Sequence, residues 1–469
     1  MTTTPERMDD PRIACLAEGL GPDLIRTGAE IPARHAQDWS GLPPMMPLAL
    51  ALPRSTAEVA RVLALAGELG LGVVPQGGLS GISGGAHPVA GTIALSTARM
   101  ARILSLDPEM AVMEAEAGVV LATAQAAAEE AGLMLAVDLG ARGSCTIGGI
   151  IATNAGGTQV LRYGMTRDHV LGMEAVLADG TVLPAMNRLM KNNAGLDLKQ
   201  LFIGSEGLLG VVTRAVLRLH PRPTERRTAF AGCRDTAAVI ALLARMRQAL
   251  GPALSGFEVM WPSYYDPMQG GTGLPHPLAG RHGAYVILEA TGFDPGLAAL
   301  FDAALMAAIE AGVAEDAVIA GSLREERALW AVREATAEFG RIVGPLTAFD
   351  VGVRLSAVEA TVRQVEEGLA ARFPGAHVLS YGHLGDSNLH FVVNIPDRGQ
   401  DQPGEAIKDF VYGVIRDQGG TISAEHGLGL IKRHYLGHSR SPAEIATMRA
   451  VKAALDPKGI LNPGKGFAP

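Results

Sequence analysis

The sequence has few cysteines, few aromatic residues and no long uncharged apolar run. Its three cysteines, Cys15, Cys145 and Cys233, are widely spaced and form no CxxC pair. This excludes a disulfide framework, a thiolate zinc site and an internal four-cysteine iron–sulfur cluster. Aromatic residues make up 4% of the chain, and its apolar residues are interspersed with charges. No stretch of about 20 residues is therefore predicted to span a membrane.

Basic charge is also scarce. The formal net charge is -8, which offers no basic field to a phosphate backbone, so nucleic acid is not expected as a partner. The first ten residues, MTTTPERMDD, contain three acidic side chains and one basic one. They lack the apolar core of a secretory signal and the arginine bias of a transit peptide. A soluble, cytoplasmic protein is therefore predicted.

Glycine, by contrast, is abundant. The chain has 58 glycines, against about 33 expected for its length at the usual frequency of about 7%. The segment QGGLSGISGG, residues 76–85, follows an apolar strand and has five glycines in ten positions. Such a loop lets backbone amides approach a pyrophosphate closely. It lacks the GxGxxG spacing and opens no helix, which argues against a Rossmann site. A glycine-rich surface loop is the alternative.

A second loop, DLGARGSCTIGGIIATNAGG, spans residues 138–157 and supplies small side chains, hydroxyls and an amide. With LRYG, LKQLFIGSEGLLGVVT and the terminal ILNPGK, the two loops resemble the FAD-linked oxidases of the vanillyl-alcohol-oxidase type. Within that family the resemblance is greatest to D-2-hydroxyglutarate and D-lactate dehydrogenases. It covers about residue 45 to the end.

The resemblance implies an α+β fold, with a PCMH-type FAD-binding domain of two α+β subdomains and an α+β cap domain containing an antiparallel sheet. It divides the chain into an N-terminal segment (1–44), the FAD-binding domain (45–221), a substrate or cap domain with the metal site (222–425) and a C-terminal helical segment returning to the FAD domain (426–469).

The resemblance also implies the residues that bind FAD. Leu79 stands where some relatives carry a histidine bonded to the flavin, and Cys145 is matched by a relative without a covalent link, so non-covalent FAD is expected. The residues carried over from the two loops, the GSEG segment and the C-terminal segment are Gln76, Gly77, Gly78, Leu79, Ser80, Gly81, Ser83, Gly84, Gly85, Gly140, Gly143, Ser144, Cys145, Ile147, Gly148, Gly149, Thr153, Asn154, Ala155, Gly156, Gly157, Glu206, Gly207, Gly210, Val211, His426 and Asn462.

A third motif, YGHLGDSNLHFVV, contains two histidines on either side of a turn. If Asp386 and Ser387 centre a tight turn between two strands, His383 lies directly opposite His390. Directly opposed Cβ atoms are about 4.5–5.5 Å apart, which allows two imidazoles to share one metal ion. Glu425, in ISAEHGLG, is the candidate carboxylate ligand. The alternative is a pair of partly exposed histidines near a turn.

The segment GHLGDSNLH is similar to the family motif HxGDGNLH, which implies that His383, His390 and Glu425 bind a divalent metal, usually zinc. His426 corresponds to the histidine thought to take the substrate hydroxyl proton; alternatively, it orients Glu425. The implied reaction is oxidation of a D-2-hydroxy acid to a 2-oxo acid, in which the metal binds the substrate and hydride passes from C2 to flavin N5. Arg333 resembles the arginine that grips a substrate carboxylate, although a surface salt bridge is the ordinary role of such a residue.

Two positions depart from the 2-hydroxyglutarate enzymes. Those enzymes carry a lysine two residues before the position of Asp350 and an asparagine two residues after the second metal histidine, whereas this chain has Ala348 and Val392. A lost charged hydrogen bond costs about 1.5–3 kcal/mol. The preferred substrate is therefore expected to lack a second carboxylate.

Two other functions are considered. A flavin-dependent transferase of the alkyl-dihydroxyacetone-phosphate synthase type shares the flavin fold, but its histidine run and membrane attachment have no counterpart here. A non-catalytic flavin-binding subunit would be expected to lack the histidine and glutamate motifs. Electron-transferring flavoprotein or a quinone is the acceptor implied by the family, and a homodimer is the default expectation.

Overall fold

The computed structural model describes residues 10–468. The chain forms two compact units. The first unit comprises the chain up to Gly157, the segment Gly164–Arg222 and the segment from Glu425 onward. The second unit comprises Thr158–Tyr163 and Pro223–Ala424.

The helices mainly provide apolar faces that pack against other elements. In chain order they are α1 (Pro11–Leu20), α2 (Thr56–Leu69), α3 (Leu121–Glu130), α4 (Ile147–Thr153), α5 (Val160–Tyr163), α6 (Thr166–His169), α7 (Lys199–Phe202), α8 (Thr236–Leu250), α9 (Pro262–Thr272), α10 (Leu297–Glu310), α11 (Leu323–Glu334), α12 (Phe339–Ile342), α13 (Val358–Arg372), α14 (Gly404–Asp417) and α15 (Pro442–Leu455).

The strands within residues 10–468 form four sheets. They are β1 (Ile25–Thr27), β2 (Ala49–Ala51), β3 (Gly72–Gln76), β4 (Thr92–Ser96), β5 (Ile103–Asp107), β6 (Val112–Glu116), β7 (Leu133–Met134), β8 (Val170–Val176), β9 (Val182–Ala185), β10 (Val211–Arg218), β11 (His220–Pro221), β12 (Glu225–Cys233), β13 (Leu254–Met260), β14 (Ala284–Gly292), β15 (Asp316–Ile319), β16 (Thr347–Gly352), β17 (His377–His383) and β18 (Asn388–Asn394).

The first unit contains two main sheets. One has the order β1-β2-β4-β3, in which β2 and β3 both run parallel to β4. Helix α2 connects β2 to β3; its N-terminus is capped by Ser55, which accepts a hydrogen bond from the Glu58 amide, and it ends at Gly70 in the left-handed conformation. The other sheet is antiparallel, with the order β5-β6-β10-β8-β9. Buried aliphatic side chains of α3, α4, β8 and β10 form a core beside it.

The second unit contains a seven-stranded antiparallel sheet with the order β15-β12-β14-β13-β17-β18-β16. Strands β13 and β14 are buried along their whole length, as expected for central strands covered on both faces. Tyr264 and Tyr265 of α9 pack against Tyr285 of β14 and Tyr381 of β17 in one hydrophobic cluster on the sheet. The predicted α+β class, with an antiparallel sheet in the C-terminal part, is confirmed.

No helix in the described part of the chain combines the length and apolar character needed to cross a membrane.

Candidate functional site

The two glycine-rich loops of the first unit pack side by side. The first follows β3, and a Cβ at Gly77 would lie 2.5 Å from the Thr146 hydroxyl oxygen. A Cβ at Gly78 would fall onto the carbonyl oxygen of Ser144. Glycine is therefore required at both positions, because any side chain would force the loops apart. The structure thus brings together two segments that are separated by about 65 residues in the sequence.

The Gln76 side chain closes the first loop at its base. Its amide nitrogen donates to the carbonyl oxygens of His35 and Ala86, each at 3.1 Å, and its Oε1 lies 2.7 Å from His35 Nδ1. This side chain is fully buried. Gln76 therefore links the base of the loop to Ala86 and to His35, and its role in cofactor binding stays a prediction.

Other glycines leave room beside the loops. A Cβ at Gly81, Gly140 or Gly143 would meet no atom within 4 Å. Leu79 and Asn154 adopt left-handed backbone conformations, with φ of 59° and 49°. Non-glycine residues adopt this conformation at a cost, and such strain is concentrated at functional sites. Close-packed loops with open space at their tips fit an extended dinucleotide.

Cys145 is buried within the second loop. Burial raises the pKa of its thiol to about 11, so the nucleophilic thiolate is scarce at neutral pH. Leu79, in the first loop, has no nucleophilic atom. Neither side chain is suited to a covalent link with a flavin.

The segment that carries Glu425 and His426 is hydrogen-bonded to both loops. The Gly157 amide, at the end of the second loop, donates to Glu425 Oε1 at 2.8 Å. The Ser83 hydroxyl, in the first loop, donates to the Gly427 carbonyl at 3.2 Å, and the Leu430 amide donates to the Ser83 carbonyl at 2.9 Å. His426 is therefore held between two anchored neighbours, beside the loops predicted to bind FAD.

Glu206 fixes the same segment from the other side. Its carboxylate accepts hydrogen bonds from the amides of Leu428 and Gly429, at 2.7 and 2.9 Å. Burial raises the pKa of Glu206 in spite of these two amides. The Asn462 amide nitrogen donates to the carbonyl oxygens of Glu206 and Gly85, at 2.6 and 3.2 Å. Glu206 and Asn462 therefore connect the first loop to the C-terminal segment.

The remaining predicted FAD residues lie along these same elements. Gly157 has a φ of 112°, and a Cβ there would fall onto the Asp138 carbonyl. Gly210 directly precedes β10, and a Cβ there would lie 2.8 Å from the Phe202 ring and 3.0 Å from the Val176 carbonyl oxygen. Of these residues, three lie in the first loop: Ser80, Gly84 and Gly85. Six lie on or just after α4: Ile147, Gly148, Gly149, Thr153, Ala155 and Gly156. Val211 is the first residue of β10, and Gly207 lies four residues before it.

The two predicted metal histidines lie on the second unit's sheet, but not directly opposite each other. The register pairs Tyr381 with His390 and His383 with Asn388, so the predicted His383–His390 pairing is wrong. The reason is the loop, in which a 3-10 turn over Leu384–Asp386 and a left-handed Ser387 occupy four positions. The two histidines are diagonal neighbours on one face, and their ring centroids are 5.2 Å apart.

A buried carboxylate that the sequence analysis missed lies beside His383. Glu258 Oε1 is 2.6 Å from His383 Nδ1, and Oε2 accepts from Arg333 Nε at 2.9 Å and forms an ion pair with its Nη2 at 2.8 Å. Burial tends to raise the pKa of Glu258, but His383 and Arg333 hold it below its ordinary value. A lone glutamate in the apolar strand LSGFEVM was the available signal, because a buried charge requires a partner.

Arg333 lies on α11 and is itself buried. Its guanidinium also lies over the Tyr381 ring, 4.8 Å from the centroid. The structure therefore pairs this predicted substrate-binding residue with a carboxylate of the protein.

A second network supports the strand of His390. Asp350 pairs with His390 across β16 and β18, and its Oδ1 accepts from the Asn388 side chain at 2.9 Å. Gly352, at the end of β16, forms two backbone hydrogen bonds with Thr421, at 2.8 and 3.0 Å. Three residues after Thr421 the chain leaves the second unit and continues directly into Glu425.

Comparison with known proteins identifies both parts of the chain. Residues 47–185 match the family described as FAD binding domain, and residues 222–466 match the family described as FAD linked oxidases, C-terminal domain. The chain is 40% identical to a mitochondrial D-2-hydroxyglutarate dehydrogenase of Bos taurus, over 99% of this chain and 87% of the relative. It is 37% identical to a D-2-hydroxyglutarate dehydrogenase of Xanthomonas citri, over 98% of each chain.

A solved structure of p-cresol methylhydroxylase with bound substrate has a similar fold. The TM-score is 0.78 at 15% identity, and the match covers 100% of this chain and 99% of that one. At this identity the likeness concerns the fold alone. Together these comparisons confirm the predictions of an FAD-binding fold and of an FAD-dependent hydroxy-acid dehydrogenase.

The predicted cytoplasmic location is contradicted. Relatives from cattle, rice, Arabidopsis and rat are named as mitochondrial proteins. The prediction depended on the first ten residues, of which 1–9 lie outside the described part of the chain. The cellular location of a protein is determined by receptors that recognise sorting signals. The composition of the first ten residues was therefore not sufficient to predict it.

Proposed function

Since the chain belongs to the family of FAD-linked oxidases, we propose that it oxidises a D-2-hydroxy acid to the corresponding 2-oxo acid with FAD as the electron acceptor. The placement of His426 carries this proposal. It lies between Glu425, which is bound to the end of the second loop, and Gly427, which is bound to the first loop. A proton acceptor is thus fixed beside both predicted flavin loops.

The residues proposed to hold FAD are those of the two loops, together with the Glu206 and Asn462 regions. The close approach of Gly77 and Gly78 to the second loop, and the open space at Gly81, Gly140 and Gly143, support this assignment. When bound, FAD takes up the hydrogen and electron pair that leave C2. The oxidation also releases the hydroxyl proton, for which the protein must provide an acceptor.

His426 is the proposed acceptor of that proton. A neutral imidazole has a lone pair that can accept a proton, as a general base requires. The hydrogen bonds of Glu425 and Gly427 limit the movement of His426. Proton transfer requires donor and acceptor atoms to stay about 3 Å apart, so a fixed position suits this role. The alternative role, orientation of Glu425, predicts that removal of His426 would alter metal affinity more than turnover.

We propose that His383, His390 and Glu425 bind a divalent metal, which when bound lowers the pKa of the substrate hydroxyl. The two imidazoles lie on one face of the same sheet, and Glu425 is the carboxylate that the resemblance to the family motif supplies. Nitrogen and oxygen ligands suit zinc, as well as manganese, iron and cobalt. The closeness of the two imidazoles and the buried partner of His383 support the assignment.

The proposed substrate lacks a second carboxylate. On the face that carries His390, the next residue along β18 is Val392, which lies opposite Ala348 on β16 and Leu379 on β17. Val392 and Leu379 belong to the apolar cluster around Tyr264 and Tyr381. An apolar surface of this kind favours an aliphatic or aromatic group at C2 over a carboxylate, which would lose its hydration without a partner.

Three further points stay predictions: the electron acceptor (electron-transferring flavoprotein or a quinone), a homodimer, and the division of the chain into four segments.

Anaerobic mixing with a panel of D- and L-2-hydroxy acids tests the proposed function. The protein would be purified with bound flavin, its metal content measured, and the flavin absorbance followed by stopped flow. We expect rapid bleaching by one or more D-acids, and its loss after chelator treatment or in His383→Ala. A yellow protein that no acid bleaches would rule out the proposed reaction and favour a transferase or a non-catalytic flavin subunit.

A further inference from the structure

Glu258 stands out among the charged residues of the second unit because it is buried in the middle of a sheet. It lies on β13, directly opposite His383 on β17, and 1% of its surface is exposed. Burial of an ionised carboxylate is unfavourable unless charged partners and hydrogen bonds compensate for the lost hydration. Both oxygens have such partners: Oε1 contacts His383, and Oε2 contacts Arg333.

The contact with Glu258 determines which nitrogen of His383 can act as a ligand. A carboxylate 2.6 Å from Nδ1 requires a proton on that nitrogen, because the carboxylate can only accept. The lone pair of the neutral imidazole is then on Nε2. Arg333 Nη2 lies 3.4 Å from Nε2, and since arginine only donates, this contact agrees with a lone pair on Nε2; a metal bound at Nε2 would replace the contact.

We propose that Glu258 is a positioning residue for the metal site, which fixes both the orientation of the His383 ring and the nitrogen that it presents. Arg333 in turn holds Glu258 in place through Nε and Nη2. This inference rests on the proposed metal-binding role of His383. A carboxylate behind a ligating histidine also increases the basicity of that ligand, and loss of such a partner typically weakens metal binding by about 10- to 100-fold.

The same contacts restrict what Arg333 can do. Two of its three guanidinium nitrogens engage Glu258, which leaves Nη1 for any other anion. A bidentate grip on a substrate carboxylate would require the pair with Glu258 to break. The main role of Arg333 is therefore to keep Glu258 fixed, and any contact with substrate is monodentate.

The test compares Glu258→Gln with Glu289→Gln as a matched control. Glu289 is also buried, on the adjacent strand β14, but its side chain contacts the hydroxyls of Thr228 and Ser255. Each flavin-loaded variant would be stripped of metal and titrated with Zn²⁺ in competition with a chromogenic chelator. We expect Glu258→Gln to weaken zinc binding about 10- to 100-fold, with unchanged flavin content. Glu289→Gln is expected to bind zinc as the wild type does.

Two further variants keep the test decisive if Glu258→Gln does not fold. Glu258→Asp retains the charge but retracts the carboxylate, and a weakened zinc affinity is again expected. Arg333→Lys retains the positive charge but loses the planar guanidinium whose two nitrogens contact Glu258. This variant should weaken zinc binding as well as raise KM. A change in KM alone would assign Arg333 to the substrate instead.

The outcomes separate this inference from the proposed function. If the wild type binds no stoichiometric metal, the metal-assisted reaction is wrong. If the wild type binds zinc and the folded Glu258 variants bind it equally well, the metal site stands and the positioning role of Glu258 is disproved.

Discussion

The two units build their candidate sites from different materials. In the first unit, loops rich in glycine place backbone groups around an open space, and few side chains are suited to contact a ligand. In the second unit, the candidate site is made of side chains from β13, β17 and β18, backed by an ion pair and an aromatic cluster. A backbone site is sensitive to atoms added between the loops or toward the ligand, whereas a side-chain site is sensitive to the loss of a charge, of a hydrogen bond or of side-chain reach.

The difference follows from what each site has to recognise. A pyrophosphate is a repeating anion that many backbone amides can bind at once. A 2-hydroxy acid is small, and its oxidation depends on a few groups at defined positions. The two units should therefore respond differently to substitution.

The largest effect is expected at His426. His426→Asn should lower the rate of flavin reduction by about 10²- to 10⁴-fold, because a positioned general base contributes a factor of this size. Flavin content is measured beside the rate, because His426 is also among the residues predicted to bind FAD, and the rate is compared per bound flavin. Stopped-flow reduction with saturating substrate measures the effect. The exposed His434, eight residues later, supplies the control variant His434→Asn; equal rates for both variants would refute the assignment of the base.

The next largest effect is expected in the first unit at Gly78. In Gly78→Ala the new Cβ overlaps the Ser144 carbonyl, so the loops must separate at a cost of about 3 kcal/mol. Chemical denaturation and flavin titration should both show the loss. Gly81→Ala is the comparison, because its Cβ meets no protein atom. That variant should keep its stability and lose only flavin affinity, and equal stability losses in the two variants would contradict the close packing of the loops.

A smaller effect is expected at Val392 and its cross-strand neighbour Ala348 in the second unit. The double substitution Ala348→Lys with Val392→Asn should raise kcat/KM for D-2-hydroxyglutarate relative to D-2-hydroxyisovalerate by about 10- to 100-fold, the equivalent of a charged hydrogen bond gained by the distal carboxylate. Steady-state kinetics with both acids measures the ratio. Val392→Leu, which adds no polar group, should not shift it toward the dicarboxylate. A wild type that already prefers the dicarboxylate would refute the apolar assignment.

The smallest effect is expected away from both sites, at His169. This histidine is fully buried, its Nε2 has no hydrogen-bond partner, and burial lowers its pKa to about 4. Between about pH 6.5 and pH 4 the unfolded chain binds a proton that the folded chain does not, so stability falls as the pH falls through this window. At pH 5 the loss is about 2 kcal/mol.

Urea denaturation at pH 7 and pH 5 measures this effect. His169→Gln should reduce the difference in unfolding free energy between the two pH values, whereas exposed His434→Gln should not. An unchanged difference in His169→Gln would show that His169 is not responsible for acid sensitivity.

Much of the site could be predicted from the sequence, but unevenly. The glycine loops, His426 and Glu425 were found because each lies in a short contiguous motif. The hydrogen-bond partners of Gln76 and Glu206 could not be predicted, because His35 and Leu428 are 41 and 222 residues away. Glu258 was missed for the same reason, since 125 residues separate it from His383.

The sequence by itself determined where glycine is concentrated and which histidines and carboxylates are available for chemistry. These are local properties, set by backbone conformation and by the solvation of single side chains. Only the tertiary structure decided that His383 and His390 are diagonal, that Glu258 fixes the His383 tautomer and that Arg333 is already paired. Strand register and the partner of a buried charge depend on contacts between distant segments, whose energies no local pattern contains.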